Sequence, residues 1–187
     1  SFVGSTKVAK LVYQQSTHHL KRCIALGGAK NHLFVLPDAN PEMTASNVTA
    51  SMSGCAGQRC MAASAMLAVG DVDPIISKIV EEARKVVPGV NLGAVISKAA
   101  KERIENYISE AEKDGAKILV DGRNAVVEGK ENGTYVGATV IDYVTPEMSV
   151  ATEEIFGPVI SIMRTETLDE ALKIENSNPY GNAASVF

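Results

Sequence analysis

The chain has 187 residues, 45% hydrophobic and 21% charged, proportions that suit one ordinary globular domain with a real core. Its net charge of -4 excludes a basic face for nucleic acid or anionic lipid, and no apolar run reaches the length of a membrane span. Three cysteines are an odd and sparse count, which points to free thiols in a reducing, cytoplasmic setting and not to a disulfide framework.

The predicted elements alternate. Ser5 stands where a helix cap belongs, before a helix over residues 6–14 with Val8, Leu11 and Val12 on one stripe. Residues 21–26 read as a short strand ending at Gly27-Gly28, and 32–36 as a second strand stopped by Pro37-Asp38. Pro41 opens a helix to about Ser53. A strand over 64–69 precedes a helix capped by Asp73, with Pro74 in its first turn, reaching Val87. Ser97 caps the clearest helix, in which Ala100, Ile104, Tyr107, Ile108 and Ala111 form one stripe and Gly115 follows the end. Strands over 117–120, 135–144 and 159–164, a polar loop over 121–133 and a helix over 169–176 complete the chain. Helices and strands alternating at these lengths predict an α/β fold with a mostly parallel sheet and flanking helices. The chain opens on SFVGS and closes on AASVF, both strand-like, so a piece of a longer protein is expected.

Several stretches carry chemistry. SGCAGQRCMAAS holds Cys55 and Cys60 among small residues, with Arg59 beside the second thiol. Small residues let the backbone approach a ligand, and free N–H groups there suit a developing oxyanion. A buried structural thiol fits the same spacing, and both readings stay open from spacing alone. Cys55 and Cys23 read as structural. GSTKVAK places Gly4 and Ser5 at a helix start, which suits an anion, although it is neither a G-x-G-x-x-G nor a Walker loop. EEIFGPV pairs Glu153 and Glu154 ahead of Phe156 and a Gly-Pro turn; ribose binding, acid–base work and simple solvation all fit. The three histidines show no zinc or iron spacing, so no metal is predicted.

The order of these stretches is more telling than any one of them. GST-x-V, an LGG turn followed by Lys30, GQ-x-C, EEIFGPV and NPYG together resemble the aldehyde dehydrogenase family over essentially the whole chain. The resemblance implies that residues 1–22 are the tail of an NAD-binding domain and 23–187 a catalytic domain. It implies the family's dimers or tetramers, a small aldehyde substrate, and no nucleic-acid or membrane partner. It makes Cys60 the nucleophile that forms a thioester, and its N–H an oxyanion donor. It places Glu154 and Phe156 at the nicotinamide ribose and ring, and Gly4, Ser5 and Val8 near the pyrophosphate of NAD.

One departure refines this. Many family members carry a glutamate just before the LGGK-type turn, where it activates water. Here the segment reads CIALGGAKNH, and the place falls on Leu26 or, one residue earlier, Ala25. Neither is a base, and general-base help is worth roughly a hundredfold or more. The thioester then waits for a better nucleophile, such as the thiol of coenzyme A. GAKNH, PDAN, GQRCMA, DGR and ENG-x-x-VG resemble the acylating branch that oxidises malonate and methylmalonate semialdehydes. That branch gives Arg59 a role as clamp for the substrate carboxylate, through its planar fork. The alternatives are a hydrolytic NAD(P)-dependent aldehyde dehydrogenase, or a chain inactive when isolated. A Cys55–Cys60 disulfide is conceivable as an oxidised resting form.

Overall fold

The computed structural model describes residues 1–187. In chain order the elements are β1 (Phe2–Val3), α1 (Thr6–His18), β2 (Ala25–Leu26), β3 (His32–Val35), α2 (Pro41–Ser53), β4 (Ala65–Val69), α3 (Asp73–Arg84), α4 (Lys98–Lys113), β5 (Lys117–Val120), β6 (Thr139–Asp142), α5 (Ser149–Thr152), β7 (Val159–Thr165), α6 (Leu168–Ser177) and β8 (Ala184–Val186). A 3₁₀ turn, Gly54–Gly57, follows α2.

Six strands form one sheet in the order β5-β6-β7-β4-β3-β8. All neighbours run parallel except the edge pair β5 and β6, which is antiparallel and carries a register shift near Val120. The fold is therefore α/β with a mostly parallel sheet, as the alternation of elements predicts. β1 and β2 stand apart as a two-stranded parallel ribbon with α1 beside it.

The central strands are buried on both faces, so they read as continuous apolar runs and not as alternation. All five residues of β4 are buried. Leu33, Val35, Met66, Ile160 and Ile162 face the core under α2 and α3. Phe34, Leu67, Val159 and Met163 face the opposite core, where Ile104 and Ile108 of α4 pack. Fully burying a side chain such as Leu67 is worth roughly 1.5–3 kcal/mol. Helix starts follow capping chemistry: Met43 N–H donates to Asn40 Oδ1 at 3.0 Å, and Ala100 N–H to Ser97 Oγ at 3.1 Å.

Several boundaries differ from the sequence reading. α1 runs on to His18, and Ser5 makes no side-chain capping bond. The strand at residues 21–26 shrinks to Ala25–Leu26 because its pairing partner β1 is two residues long. Val72, not Asp73, is the cap residue of α3, which ends at Arg84. The strand expected over 135–144 covers only Thr139–Asp142, because Gly137 instead donates to Gly122 O at 2.8 Å in a close backbone crossing. α5 and the 3₁₀ turn are too short to leave a periodic signal, while β1 and β8 fall in the strand-like SFVGS and AASVF.

Candidate active site

The conspicuous motifs converge where the amino ends of β4 and β7 meet the segments that follow β1 and β2. Cys60 precedes β4, Phe156 precedes β7, and the Gly27-Gly28 turn follows β2. Their meeting point is a cleft of about 430 Å³ lined by Gly4, Ser5, Cys60, Glu154, Phe156 and Arg103, with Val3 and Gly27. A smaller recess of about 20 Å³ lies beside it, bordered by Cys60, Arg59, Asn31 and Glu154 among others. Val8 lies on α1, is 42% exposed, and lines neither space.

The backbone around Cys60 is held in an uncommon shape. Cys55, Ala56 and Gly57 are left-handed in succession, with φ of 54°, 53° and 70°. Such a conformation costs roughly 1–2 kcal/mol for a residue bearing Cβ, and clusters of it mark functional sites. Phe156 is left-handed too, with φ of 53°. Two of the motifs touch backbone to backbone here: a Cβ on Gly57 would lie 2.0 Å from Gly157 O. Glycine in GQ-x-C is thus demanded both by φ and by the closeness of the FGP turn. Arg103, from α4, donates from Nη1 to Ile155 O at 2.7 Å and fixes the EEIF segment from below.

Cys60 is exposed, and all three cysteines are free thiols. Cys55 is exposed and Cys23 half-buried, so the structural reading of Cys55 as a packed thiol does not hold. Its left-handed backbone turns the chain instead. No Cys55–Cys60 disulfide is present. The Cys60 carbonyl is gripped by two amides: Asn31 Nδ2 donates to it at 2.8 Å and Asn182 Nδ2 at 2.7 Å.

Arg59 does not point freely into the cleft. Its Nη2 donates to Ala50 O at 3.2 Å and Ser51 O at 3.3 Å, two carbonyls of the last turn of α2. There it adds a donor to Ala50 O, which already accepts from the Gly54 N–H, and complements the helix dipole. Gly54 makes room, since a Cβ on it would fall 1.7 Å from Arg59 Nη2. Arg59 still borders the small recess beside Cys60.

Glu154 lies against the LGG turn: a Cβ on Gly28 would sit 2.8 Å from Glu154 Oε2. The same turn is tied to α1 by Gly28 N–H donating to Thr6 Oγ1 at 3.0 Å. Lys30, which follows it, is 3% exposed and its Nζ has no partner. Burial lowers its pKa from 10.5 to about 7, against the opposing pull of Glu154 and Glu153. His32 is also lowered, by burial first, while its Nδ1 contact with Glu175 opposes the shift. Leu26 and Ala25, where many family members have a catalytic glutamate, form β2 and offer no base.

The match to known proteins bears on this whole arrangement. The aldehyde dehydrogenase family profile matches residues 1–187. The chain belongs to the aldehyde dehydrogenase family. Among curated relatives it is 46% identical over 193 residues to a methylmalonate-semialdehyde/malonate-semialdehyde dehydrogenase [acylating] of Bos taurus, matching 100% of this chain and 36% of the relative. The Homo sapiens protein of the same name is also 46% identical, with the same coverage. The chain therefore spans about a third of the length of these relatives. Among solved structures, a methylmalonate-semialdehyde dehydrogenase from Oceanimonas doudoroffii superposes with TM-score 0.96 at 42% identity, over 100% of this chain and 40% of that one. A Sinorhizobium meliloti structure complexed with NAD does so with TM-score 0.96 at 37% identity, over 100% of this chain and 40% of that one.

These relatives correct one expectation. The Bos taurus and Homo sapiens proteins are named as mitochondrial, so the cytoplasmic placement is overturned. Sparse free cysteines fit any reducing compartment, and composition does not separate one from another. Sequence reasoning also passed over Asn31, Asn182, Arg103 and Lys30. Asn31 and Lys30 sat inside the quoted GAKNH, where a run of polar residues leading into a buried strand was the available signal.

Proposed function

We propose that the protein containing this chain carries out the NAD-dependent, CoA-acylating oxidation of malonate or methylmalonate semialdehyde. Residues 1–22 then belong to an NAD-binding domain and residues 23–187 to the catalytic domain, within a dimer or tetramer. The observation that carries the reading is a free, exposed Cys60 in one cleft with Glu154 and Phe156, while Leu26 stands where a water-activating glutamate would be.

The cleft fits the nicotinamide end of NAD. Glu154 Oε2 is held against a turn with no side chain to cover it, so its carboxylate is available to ribose hydroxyls. Phe156 is 39% exposed at the same wall and offers a ring face. Gly4 and Ser5 at the start of α1 form the far rim, towards the pyrophosphate, with Val8 one turn further along the helix. NAD, when bound, supplies the hydride acceptor.

The residues of the chain do the rest. The Cys60 thiolate attacks the aldehyde carbon, and a C–S bond forms as the carbonyl becomes an oxyanion. The Cys60 N–H makes no hydrogen bond within the chain, so it is available to that oxygen. Loss of hydride leaves a thioester on Cys60. With no carboxylate at Leu26, water is a poor acceptor, and the coenzyme A thiol attacks the thioester carbon and releases Cys60. Loss of the substrate carboxylate as carbon dioxide, with a proton from water taken up at the freed carbon, gives acetyl-CoA or propionyl-CoA. Arg59 borders the recess and offers the substrate carboxylate the nitrogens that α2 does not use.

The test supplies the full-length protein with NAD and malonate semialdehyde, with and without coenzyme A, and identifies products by mass spectrometry. NADH and acetyl-CoA appearing in quantity only with coenzyme A support the reading. Free acid forming as fast without coenzyme A overturns it.

A further inference from the structure

The Cys60 carbonyl has two acceptor lone pairs, and two side chains use them: Asn31 Nδ2 at 2.8 Å and Asn182 Nδ2 at 2.7 Å. The amides come from distant parts of the chain but from one place in the fold. Asn31 immediately precedes β3, and Asn182 lies two residues before β8. Those strands pair in parallel, with His32 opposite Ala184. Asn31 is held firmly. Its second amide proton goes to Ala62 O at 3.0 Å, its N–H donates to Ser64 Oγ at 3.2 Å, and its carbonyl accepts from Ser64 and Ala65 N–H. The Ala63 N–H donates to Ser51 Oγ at 3.0 Å, which ties the other side of the loop to α2.

We infer that Asn31 and Asn182 are positioning residues for the nucleophile, gripping the Cys60 carbonyl from two neighbouring strands so that the N–H and thiol of Cys60 face the cleft. The inference rests on the reading of Cys60 as nucleophile. The physical logic has two parts. A carbonyl with both lone pairs engaged cannot turn into the cleft, where its negative end would repel a developing oxyanion. Fixing that peptide also fixes the rotation about Cys60, and so the aim of the unpartnered N–H on its other side. Neighbouring left-handed residues leave this loop little intrinsic preference for the required shape, so external donors must impose it.

Two chemical probes separate positioning from mere structure. Iodoacetamide alkylates a thiolate without forming an oxyanion. 4-Nitrophenyl acetate acylates it through one: the C–S bond forms, the ester C–O bond breaks and 4-nitrophenolate leaves. The full-length protein is used, with Asn182→Ala, Asn182→Asp and Asn182→Gln. Asn182 is exposed, so these changes spare the core. The expected result is roughly a ten- to hundredfold slower acylation burst in the Ala and Asp variants. Alkylation changes less than about threefold, and Gln, which keeps the N–H donors, recovers part of the burst. Equal slowing of both probes, or an unchanged burst in Ala and Asp, overturns the inference. A burst that survives Cys60→Ser instead overturns the reading of Cys60, whatever the amides do.

Discussion

The two ends of the parallel sheet are built on opposite principles. At the carboxyl ends of β6 and β7, charges are closed into pairs. Arg164 donates from Nε and Nη2 to Asp142 at 3.0 and 2.8 Å, its Nη1 lies 2.8 Å from Asp73, and its guanidinium stacks 4.8 Å from the Tyr143 ring. Asp142 is 2% exposed, and that fork compensates the burial of its carboxylate. At the amino ends the bookkeeping is left open. Lys30 Nζ, Asn31 Oδ1 and His32 Nε2 are buried without partners, and Cys55, Ala56 and Phe156 are left-handed. Open α/β sheets most often bind ligands beyond the carboxyl ends of their strands. Here the cleft lies between the amino ends of β4 and β7 and the carboxyl ends of β1 and β2, and Cys55, Ala56 and Phe156 lie beside it, although Tyr143 after β6 is left-handed and Thr44 Oγ1 is unpartnered at the other end. The lesson is that the buried charges are closed into pairs at the end that holds the sheet together, and a buried cation, Lys30, is left unpaired at the end beside the cleft.

The sharpest way to break that contrast is to disturb the point where two motifs touch. Gly57→Ala forces a Cβ against Gly157 O, 2.0 Å away, at a φ of 70°. Neither backbone can yield without moving Cys60 or Phe156. We expect a loss of about 3 kcal/mol or more in stability, together with at least a roughly tenfold slower acylation of Cys60. Denaturant unfolding and the 4-nitrophenyl acetate burst measure the two. A variant with normal stability and normal burst would show that the close approach is unimportant.

Asp142→Ala is the matching change at the other end. It leaves Arg164, 28% exposed, with Asp73 as its one anionic partner beside the Tyr143 ring. Breaking a buried pair costs roughly 3–5 kcal/mol, and the partial exposure of Arg164 brings the expectation to about 2–3 kcal/mol. Cys60 alkylation, measured well below the lowered melting temperature, should be unchanged. A large fall in alkylation rate would mean that the two ends are coupled and the contrast is false.

The same contrast explains what the sequence made legible. Regular elements with caps were readable, because Pro41, Ser97 and a stripe such as Ile104 and Ile108 encode them locally. The family motifs brought Gly4, Ser5, Cys60, Glu154 and Phe156 forward, and the structure gathers these around one cleft. The residues that hold Cys60 in place were not readable. Asn31 and Asn182 reach it across 29 and 122 positions of sequence, and no spacing rule spans such gaps. The direction of Arg59 was hidden for a similar reason: it depends on the empty space above Gly54 and on two carbonyls in the last turn of α2.

Lys30 offers the finest test of the open end, because its effect is a slope and not a collapse. Its pKa is lowered by burial from 10.5 to about 7. Between those values the unfolded chain binds a proton that the folded chain has lost, so raising the pH favours the folded state. Below about pH 7 both states are protonated, and the cost of burying the charge is fully present. From about pH 7 to about pH 8.5 the contribution of Lys30 should raise stability by about 1–2 kcal/mol. Lys30→Met keeps an apolar stem of similar length and removes the charge. The difference in unfolding free energy between the two proteins, followed across that window, should shrink as the pH rises. A constant difference would mean that Lys30 keeps its proton, held by Glu154 and Glu153, and that the amino end is more completely paired than its hydrogen bonds indicate.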